Sequence, residues 1–352
     1  MPTSSRSVTL SLTVIALVIA GAALHQLRPV MLPFVVALFL SNIFRPLVVY
    51  LRTRHVPMAI ALMLVLVVVG AVLLGITFVA ISSVQSLIAA LPRYETRWND
   101  AILPRIQHLL ANAPQTIQEQ VKDLKWSNIV QVSVILGVVY AGAGGFMSVL
   151  SGLGLILLFV LFILAGHGLF ERKIRVAYPL HADNLISVIR KIDAKTERYF
   201  ITVTLMNLVS GLIATIVLLA FGVDLALLWG LITFIVTFIP TIGSIFALAL
   251  PIAVAFLQFG SLGTPLAVAI TLIVIEFSWG SIVSPRIMGS SLDLSPLLVL
   301  IALIFWGWIW GPWGMIFSVP ITSMIKIAFE SVPATKSIGI LMGAGVREEG
   351  AS

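Results

Sequence analysis

Glu276 is the residue whose chemistry stands out first. It is the only charged side chain between Asp224 and Arg286, and ten apolar or hydroxyl-bearing residues precede it in its segment. A carboxylate at membrane depth costs at least ~2.5 kcal/mol, which makes it a functional candidate by default. A buried carboxyl is suited to bind and release a proton in a coupled carrier. The structural alternative is a carboxylate near a helix end that reaches the interface. Arg286 lies ten residues further on, so an ion pair with Glu276 requires a bend at Gly280.

A second kind of chemistry comes from two breaks in apolar runs. Phe238-Ile-Pro-Thr-Ile-Gly-Ser-Ile-Phe246 interrupts Leu225 to Phe259, and Gly311-Pro-Trp-Gly-Met-Ile-Phe317 interrupts Leu297 to Phe329. Pro240 and Pro312 each remove a backbone donor, and Gly243 and Gly314 tolerate the dihedrals of a broken helix. Each half, about 14 to 16 residues long, reaches only ~21–24 Å, whereas a hydrocarbon core is ~30 Å thick. The breaks also match each other: both carry Pro before Gly, then Ile-Phe, then Pro-Ile.

Breaking a helix in lipid frees amides and carbonyls that protein, water or substrate must satisfy. Helix N-termini at a break favour an anionic or polar ligand, and freed carbonyls favour a cation. Paired breaks therefore point to a transporter-like site, with the alternative that Pro and Gly kink these helices for packing alone. On the first reading the two breaks meet near the membrane midplane beside Glu276. The candidate substrate- or ion-binding residues are Pro240, Gly243, Glu276, Arg286, Gly311, Pro312 and Gly314.

The elements that must hold these residues are membrane helices. The 352 residues are 60% hydrophobic and 10% charged, with a mean hydropathy of +1.13, whereas soluble domains carry about a quarter charged residues. Apolar runs long enough to span recur along the chain. The class is an all-α, polytopic helical membrane protein. The absence of cysteine excludes disulfides, iron–sulfur clusters and thiol catalysis. The net charge of +7 is read loop by loop, as topology, and not as a nucleic-acid signal.

Val8 to Leu24 reads as a retained first helix, followed by spans over Val30–Tyr50 and Met58 to about Ile81. Ser82 to Ser127 mixes five basic with four acidic residues and reads as short amphipathic helices, ending at an Ala141–Gly145 hinge. A fourth span covers Phe146 to Ala165. A fifth, Phe200 to Phe221, bears Thr202, Thr204, Asn207 and Ser210, read as interhelical hydrogen-bonding groups. Leu266 to Ile282 separates the two broken segments. The organisation expected is 1–81 membrane region, 82–145 amphipathic insertion, 146–199 span and connector, 200–332 transport core, and 333–352 tail, cytoplasmic and partly disordered.

Seven basic residues between Gly166 and Arg198 mark that segment as cytoplasmic. Alternation then puts the N-terminus and the Arg45–His55 loop inside and Ser82–Ser127 outside. Gly307 and Gly311 form a small-xxx-small pattern for tight helix packing, consistent with a homo-oligomer. Trp306, Trp308, Trp310 and Trp313 read as an interfacial belt.

Phe238-Ile-Pro-Thr-Ile-Gly243 resembles the Ile-Pro-x-x-Gly signature of the autoinducer-2 exporter family of bacterial membrane proteins. Pro285-Arg-Ile-Met-Gly289 with Leu292 and Pro296, Gly311-x-x-Gly314 with Val319-Pro320, and Pro33-Phe34 with Arg45-Pro46-Leu47 resemble further family elements in order. The resemblance implies about eight membrane segments, two of them broken or re-entrant, an amphipathic external insertion, homo-oligomers and a bacterial inner membrane. It also implies export of a small polar molecule or cation/proton exchange. Glu276 falls where the family often has a polar residue; Trp279 and Gly280 depart from the polar or acidic residue that usually follows.

Enzyme readings find no support. The five histidines are scattered, and neither a nucleophile elbow nor a phosphate-binding Gly-Lys-Thr loop occurs. The expectation is a secondary transporter exporting a small polar solute, coupled to H+ or Na+, with lipid and further copies of the chain as partners, no nucleic acid and no cofactor. The alternatives are a cation/proton antiporter, or a structural or regulatory membrane protein acting through its external insertion.

Overall fold

The computed structural model describes residues 21–112, 154–166, 170–288 and 294–344, with Val8, Leu12, Ile15, Ala16, Ile19, Pro114, Gln115, Trp126 and Gly152. About half of the Val8–Leu24 span, the Ala141–Gly145 hinge and the last residues of the tail lie outside the described residues. Every regular element among the described residues is helical. The principal helices are α1 (Arg28–Thr53), α2 (Met58–Arg97), α3 (Ala182–Ala220), α4 (Ala226–Val236), α5 (Ile242–Phe259), α6 (Gly263–Ser278), α7 (Pro296–Trp310), α8 (Pro312–Ser331) and α9 (Lys336–Leu341).

Six helices among the described residues are long and apolar enough to cross a membrane, and α4 and α7 are shorter apolar helices. Leu74, Phe78, Ile216 and Leu219 are among the many large apolar side chains turned outward. Apolar surface on this scale calls for lipid, because water-facing proteins do not carry it. The chain is a multi-pass protein of the membrane, as its composition requires.

Two helices are longer than their composition implies. α2 does not end near Ile81; it continues through Ser82 to Arg97 and passes through a π-helical turn, Trp98–Ile102, into Leu103–Leu109. The shift to polar residues does not interrupt it, because Ser82 and Ser86 donate back to the carbonyls of Val79 and Ser82 at 3.1 and 2.9 Å. The connector from Ala182 onward and the fifth span are likewise one 39-residue helix, α3.

The chain forms two compact units that interleave along the sequence. The first comprises Met1–Val65, Gly152–Ile201 and Ser290–Ser352. At its centre Phe39 of α1 packs against Phe200 and Phe317 with ring centroids 4.4 and 4.8 Å away. Ala37 packs with Ile156 and Val160. Arg45 reaches Asp193 at 3.8 Å. The tail is more ordered than its sequence implies: Ser295 N–H donates to the Met342 carbonyl at 3.0 Å, and α9 packs so closely on Glu330 that a Cβ at Gly339 would lie 2.8 Å from its backbone nitrogen.

The second unit comprises Leu66–Ser151 and Thr202–Gly289. Its core gathers Leu218 of α3, Ala226 and Trp229 of α4, Ala255 of α5, and Val268 and Leu272 of α6. The two broken segments fall in different units, α4–α5 in the second and α7–α8 in the first.

Candidate functional site: two helical hairpins

Both breaks are tight reversals and not kinks. In the second unit α4 ends at Val236 and α5 begins at Ile242, and contacts at both ends mark the reversal: Gly243 lies against Val236 beside the turn, and Gln258 near the end of α5 reaches Asp224 and Gly222 just before α4. At the mouth of this hairpin the Asp224 N–H donates to Gln258 Oε1 at 2.6 Å, and Gln258 Nε2 donates to the Gly222 carbonyl at 2.7 Å. Tyr94 donates its hydroxyl to Asp224 Oδ2 at 2.8 Å, and Arg93 approaches the same oxygen at 3.5 Å. Arg105 donates to the Gly260 carbonyl just beyond α5. The stretch from Arg93 to Arg105 is thus fastened to the mouth of the hairpin.

At the tip, Pro240 and Thr241 make the turn. Thr241 has φ +65° and ψ −54°, a backbone region that a β-branched residue adopts only when its surroundings impose it. Gly243 then lies against the end of α4, where a Cβ would come within 2.0 Å of the Val236 carbonyl oxygen. Among the described residues no backbone N–H donates to the carbonyls of Thr237, Phe238 or Thr241.

The first unit repeats the device. α7 starts at Pro296 behind Ser295, whose hydroxyl accepts from the Leu298 N–H at 3.3 Å as an N-cap. Gly311 reverses the chain with φ +66° and ψ −147°, a combination open to glycine alone. Pro312 opens α8, and a Cβ on Gly314 would lie 1.9 Å from the Trp306 carbonyl oxygen. Trp306 Nε1 donates to Thr322 Oγ1 at 3.2 Å across the hairpin. The likeness of the two sequences therefore has one physical origin: the glycine that follows each proline, Gly243 or Gly314, is where the returning helix touches the departing one.

The second tip sits at the turn that precedes α1. Trp310 Nε1 donates to the Leu24 carbonyl at 3.3 Å, His25 Nδ1 lies 2.9 Å from the Ile309 carbonyl, and the Arg28 guanidinium lies beside Gly311. Neither His25 nor Arg28 stands out in the sequence, because both read as loop residues between two spans.

Glu276 is half-buried on α6, beside the outward-facing Ile273, Val274 and Phe277. It forms no hydrogen bond or ion pair within the described residues, and Arg286 is exposed. Between them the helix passes through a π-helical turn at Trp279–Val283 without breaking, so the two residues stay about 15 Å apart along the axis.

Three other expectations are revised by the packing. Trp306 and Trp310 are buried in the core of the first unit, so only Trp308 and Trp313 remain as belt residues. Gly307 faces Met315 of its own hairpin and Gly311 is the turn, so both glycines are used within one chain. Thr202, Thr204, Asn207 and Ser210 form no side-chain hydrogen bonds within the described residues. Among the described residues Asn207 Nδ2 and Thr233 Oγ1 are buried without partners, at a cost of about 1–3 kcal/mol each.

Lys326 is the functional-type residue that sequence reading missed. It is 3% exposed in α8, 2.6 Å from Glu330, on a helix face shared with buried Ser318, Thr322 and Ser323. Its signal was available: an ammonium inside an apolar run, four residues before a carboxylate.

Residues 12–334 match the AI-2E family transporter. The chain is 31% identical to the AI-2 transport protein TqsA of Escherichia coli (strain K12) over 327 residues, 93% of each chain. It is 30% identical over 343 residues, 95% of each chain, to a Haemophilus influenzae chain whose name goes no further than transport protein. With the match extending over nearly its whole length, this chain belongs to the AI-2E family of membrane transporters of the bacterial inner membrane.

Proposed function

We propose that this transporter is a secondary carrier that exports a small polar solute of the autoinducer-2 kind, driven by a proton or sodium gradient. The observation that carries the solute class is the 31% identity to the AI-2 transport protein TqsA over 93% of both chains. The hairpins support a carrier mechanism. The first offers, at its tip, the strained Thr241 and carbonyls at Thr237, Phe238 and Thr241 that accept no backbone N–H among the described residues, the second reverses at Gly311, and such reversals bind solutes and ions in carriers built from discontinuous helices. In this reading Pro240, Gly243, Gly311, Pro312 and Gly314 shape the tips, and Glu276 is the acid that loads and releases the coupling proton, with Arg286 at the far end of its helix.

The test is flux in sealed proteoliposomes holding the purified protein. Autoinducer-2 should move only when an inward-directed proton or sodium gradient is imposed, and Glu276→Gln should uncouple solute movement from the proton gradient. Flux indifferent to both gradients removes the coupled-carrier reading. Wild-type gradient dependence in Glu276→Gln removes Glu276 from it.

A further inference from the structure

We infer that the tip of the α4–α5 hairpin and the facing turn of α3 form a binding site for an uncharged, hydroxyl-bearing solute, with Asn207 and Thr233 as its side-chain ligands. This rests on the transport reading above and names the site and its chemistry. Asn207 is 8% and Thr233 3% exposed, and neither Asn207 Nδ2 nor Thr233 Oγ1 has a hydrogen-bond partner within the described residues.

The two side chains share one level of the fold. α3 and α4 run antiparallel and touch at their glycines: a Cβ on Gly211 would lie 2.6 Å from the Gly230 carbonyl oxygen and 3.0 Å from Phe234 Cβ. A Cβ on Gly230 would collide with Thr215 Oγ1. Asn207 lies one turn before Gly211 and Thr233 nearly one turn after Gly230, so both sit on the tip side of this crossing. The crossing closes one end of the site. Toward the tip, Thr237 spends its hydroxyl on the Thr233 carbonyl at 2.6 Å, and beyond it come the carbonyls of Thr237, Phe238 and Thr241 that accept no backbone N–H.

The ligand class follows from what these groups lack. A carboxamide N–H needs an acceptor, free carbonyls need donors, and a threonine hydroxyl serves as either. A solute hydroxyl supplies both functions. No Asp, Glu, Lys, Arg or His occurs from Thr202 to Val223 or from Leu225 to Ile275. Neither α3 from Thr202 nor the α4–α5 hairpin supplies a countercharge to an ion held there, and burying an unpaired ion is far costlier than burying a hydroxyl. A sodium ion could use the carbonyls but would leave the Asn207 amide protons unpaired.

The chain has no cysteine, so Thr233→Cys gives a single thiol of similar size. The full-length variant in lipid nanodiscs should react with a small hydrophilic methanethiosulfonate. Autoinducer-2 or ribose should slow that reaction at least tenfold, and replacing choline chloride with sodium chloride should not. Leu218→Cys, buried in the apolar core of the same unit, should stay unreactive. Asn207→Leu should cut autoinducer-2 flux at least tenfold while leaving the Tm equal or higher, since it removes an unpaired buried amide.

A Thr233→Cys thiol as inert as that of Leu218→Cys, protection by sodium in place of the polyols, or an Asn207→Leu variant that loses Tm but keeps its flux would each overturn the assignment. If the wild-type protein fails to move autoinducer-2 while ribose protects Thr233→Cys, the site stands and the transported solute is a different one. If it moves autoinducer-2 without protection at Thr233→Cys, the transport reading stands and the site falls.

Discussion

Gln258 clamps the mouth of the α4–α5 hairpin through Asp224: its carboxamide oxygen accepts the Asp224 N–H at 2.6 Å while its nitrogen donates to the Gly222 carbonyl at 2.7 Å. One side chain thus satisfies the backbone on both sides of the bend between α3 and α4. Asp224 in turn accepts from Tyr94 at 2.8 Å, which ties the end of α2 to the same point. Where a broken helix starts and stops in one place, such a lacing keeps the two halves together without spanning length.

Gln258→Leu should lower stability by about 1–3 kcal/mol, because it strands a backbone N–H and a carbonyl. Gln258→Glu keeps the acceptor and loses the donor, so it should fall between that variant and wild type. Denaturant titration of the detergent-solubilised protein measures both. Equal stability of Gln258→Leu and wild type would show that water replaces the clamp.

The glycines at the two reversals are structural. Gly243→Ala and Gly314→Ala each put a Cβ within 2.0 Å of a carbonyl oxygen, and overpacking of this kind costs about 1–3 kcal/mol or more. Reduced yield and Tm are the expected outcome, so larger residues there, such as Gly243→Leu, report on folding and not on flux alone. Gly75→Ala has open space around its new methyl and serves as the neutral control.

Thr241 holds a positive φ that glycine adopts freely. Thr241→Gly should therefore raise stability by roughly 1 kcal/mol by removing backbone strain. A fall in Tm would mean that the threonine side chain contributes more at the tip than its strain costs.

Glu330→Gln should destabilise the first unit by about 1.5–3 kcal/mol, since it weakens a charge-assisted hydrogen bond to the buried Lys326 ammonium. Urea or SDS unfolding of the variant beside wild type gives the difference directly. No change would mean that other groups around Lys326 suffice to hold its charge.

The basic residues of Gly166–Arg198 predict that this segment faces the cytoplasm. A cysteine at Ser187 should then be shielded from impermeant thiol reagent in intact cells. Cysteines at Glu95 and Leu262 should both be labelled, because the Tyr94–Asp224 and Arg105–Gly260 bonds hold those regions at one hairpin mouth. Labelling of Ser187→Cys from outside would invert the topology.

The amino-acid sequence by itself determined the class and the places where helices break. These are local properties: apolar runs must span or bury themselves, and Pro240 and Pro312 interrupt the backbone ladder wherever they sit. Whether a break is a kink or a reversal was decided only in three dimensions, because it depends on Gly243 meeting the Val236 carbonyl and Gly314 meeting that of Trp306. Burial was equally illegible. α7 is apolar on all sides, so no periodicity could show that Trp306 and Trp310 face inward while Trp308 faces outward. The same holds for Asn207 and Thr233: each reads alone as an ordinary helix-packing residue, and only the crossing of α3 over α4 at Gly211 and Gly230 leaves them buried, unpartnered and on one side of the same close approach.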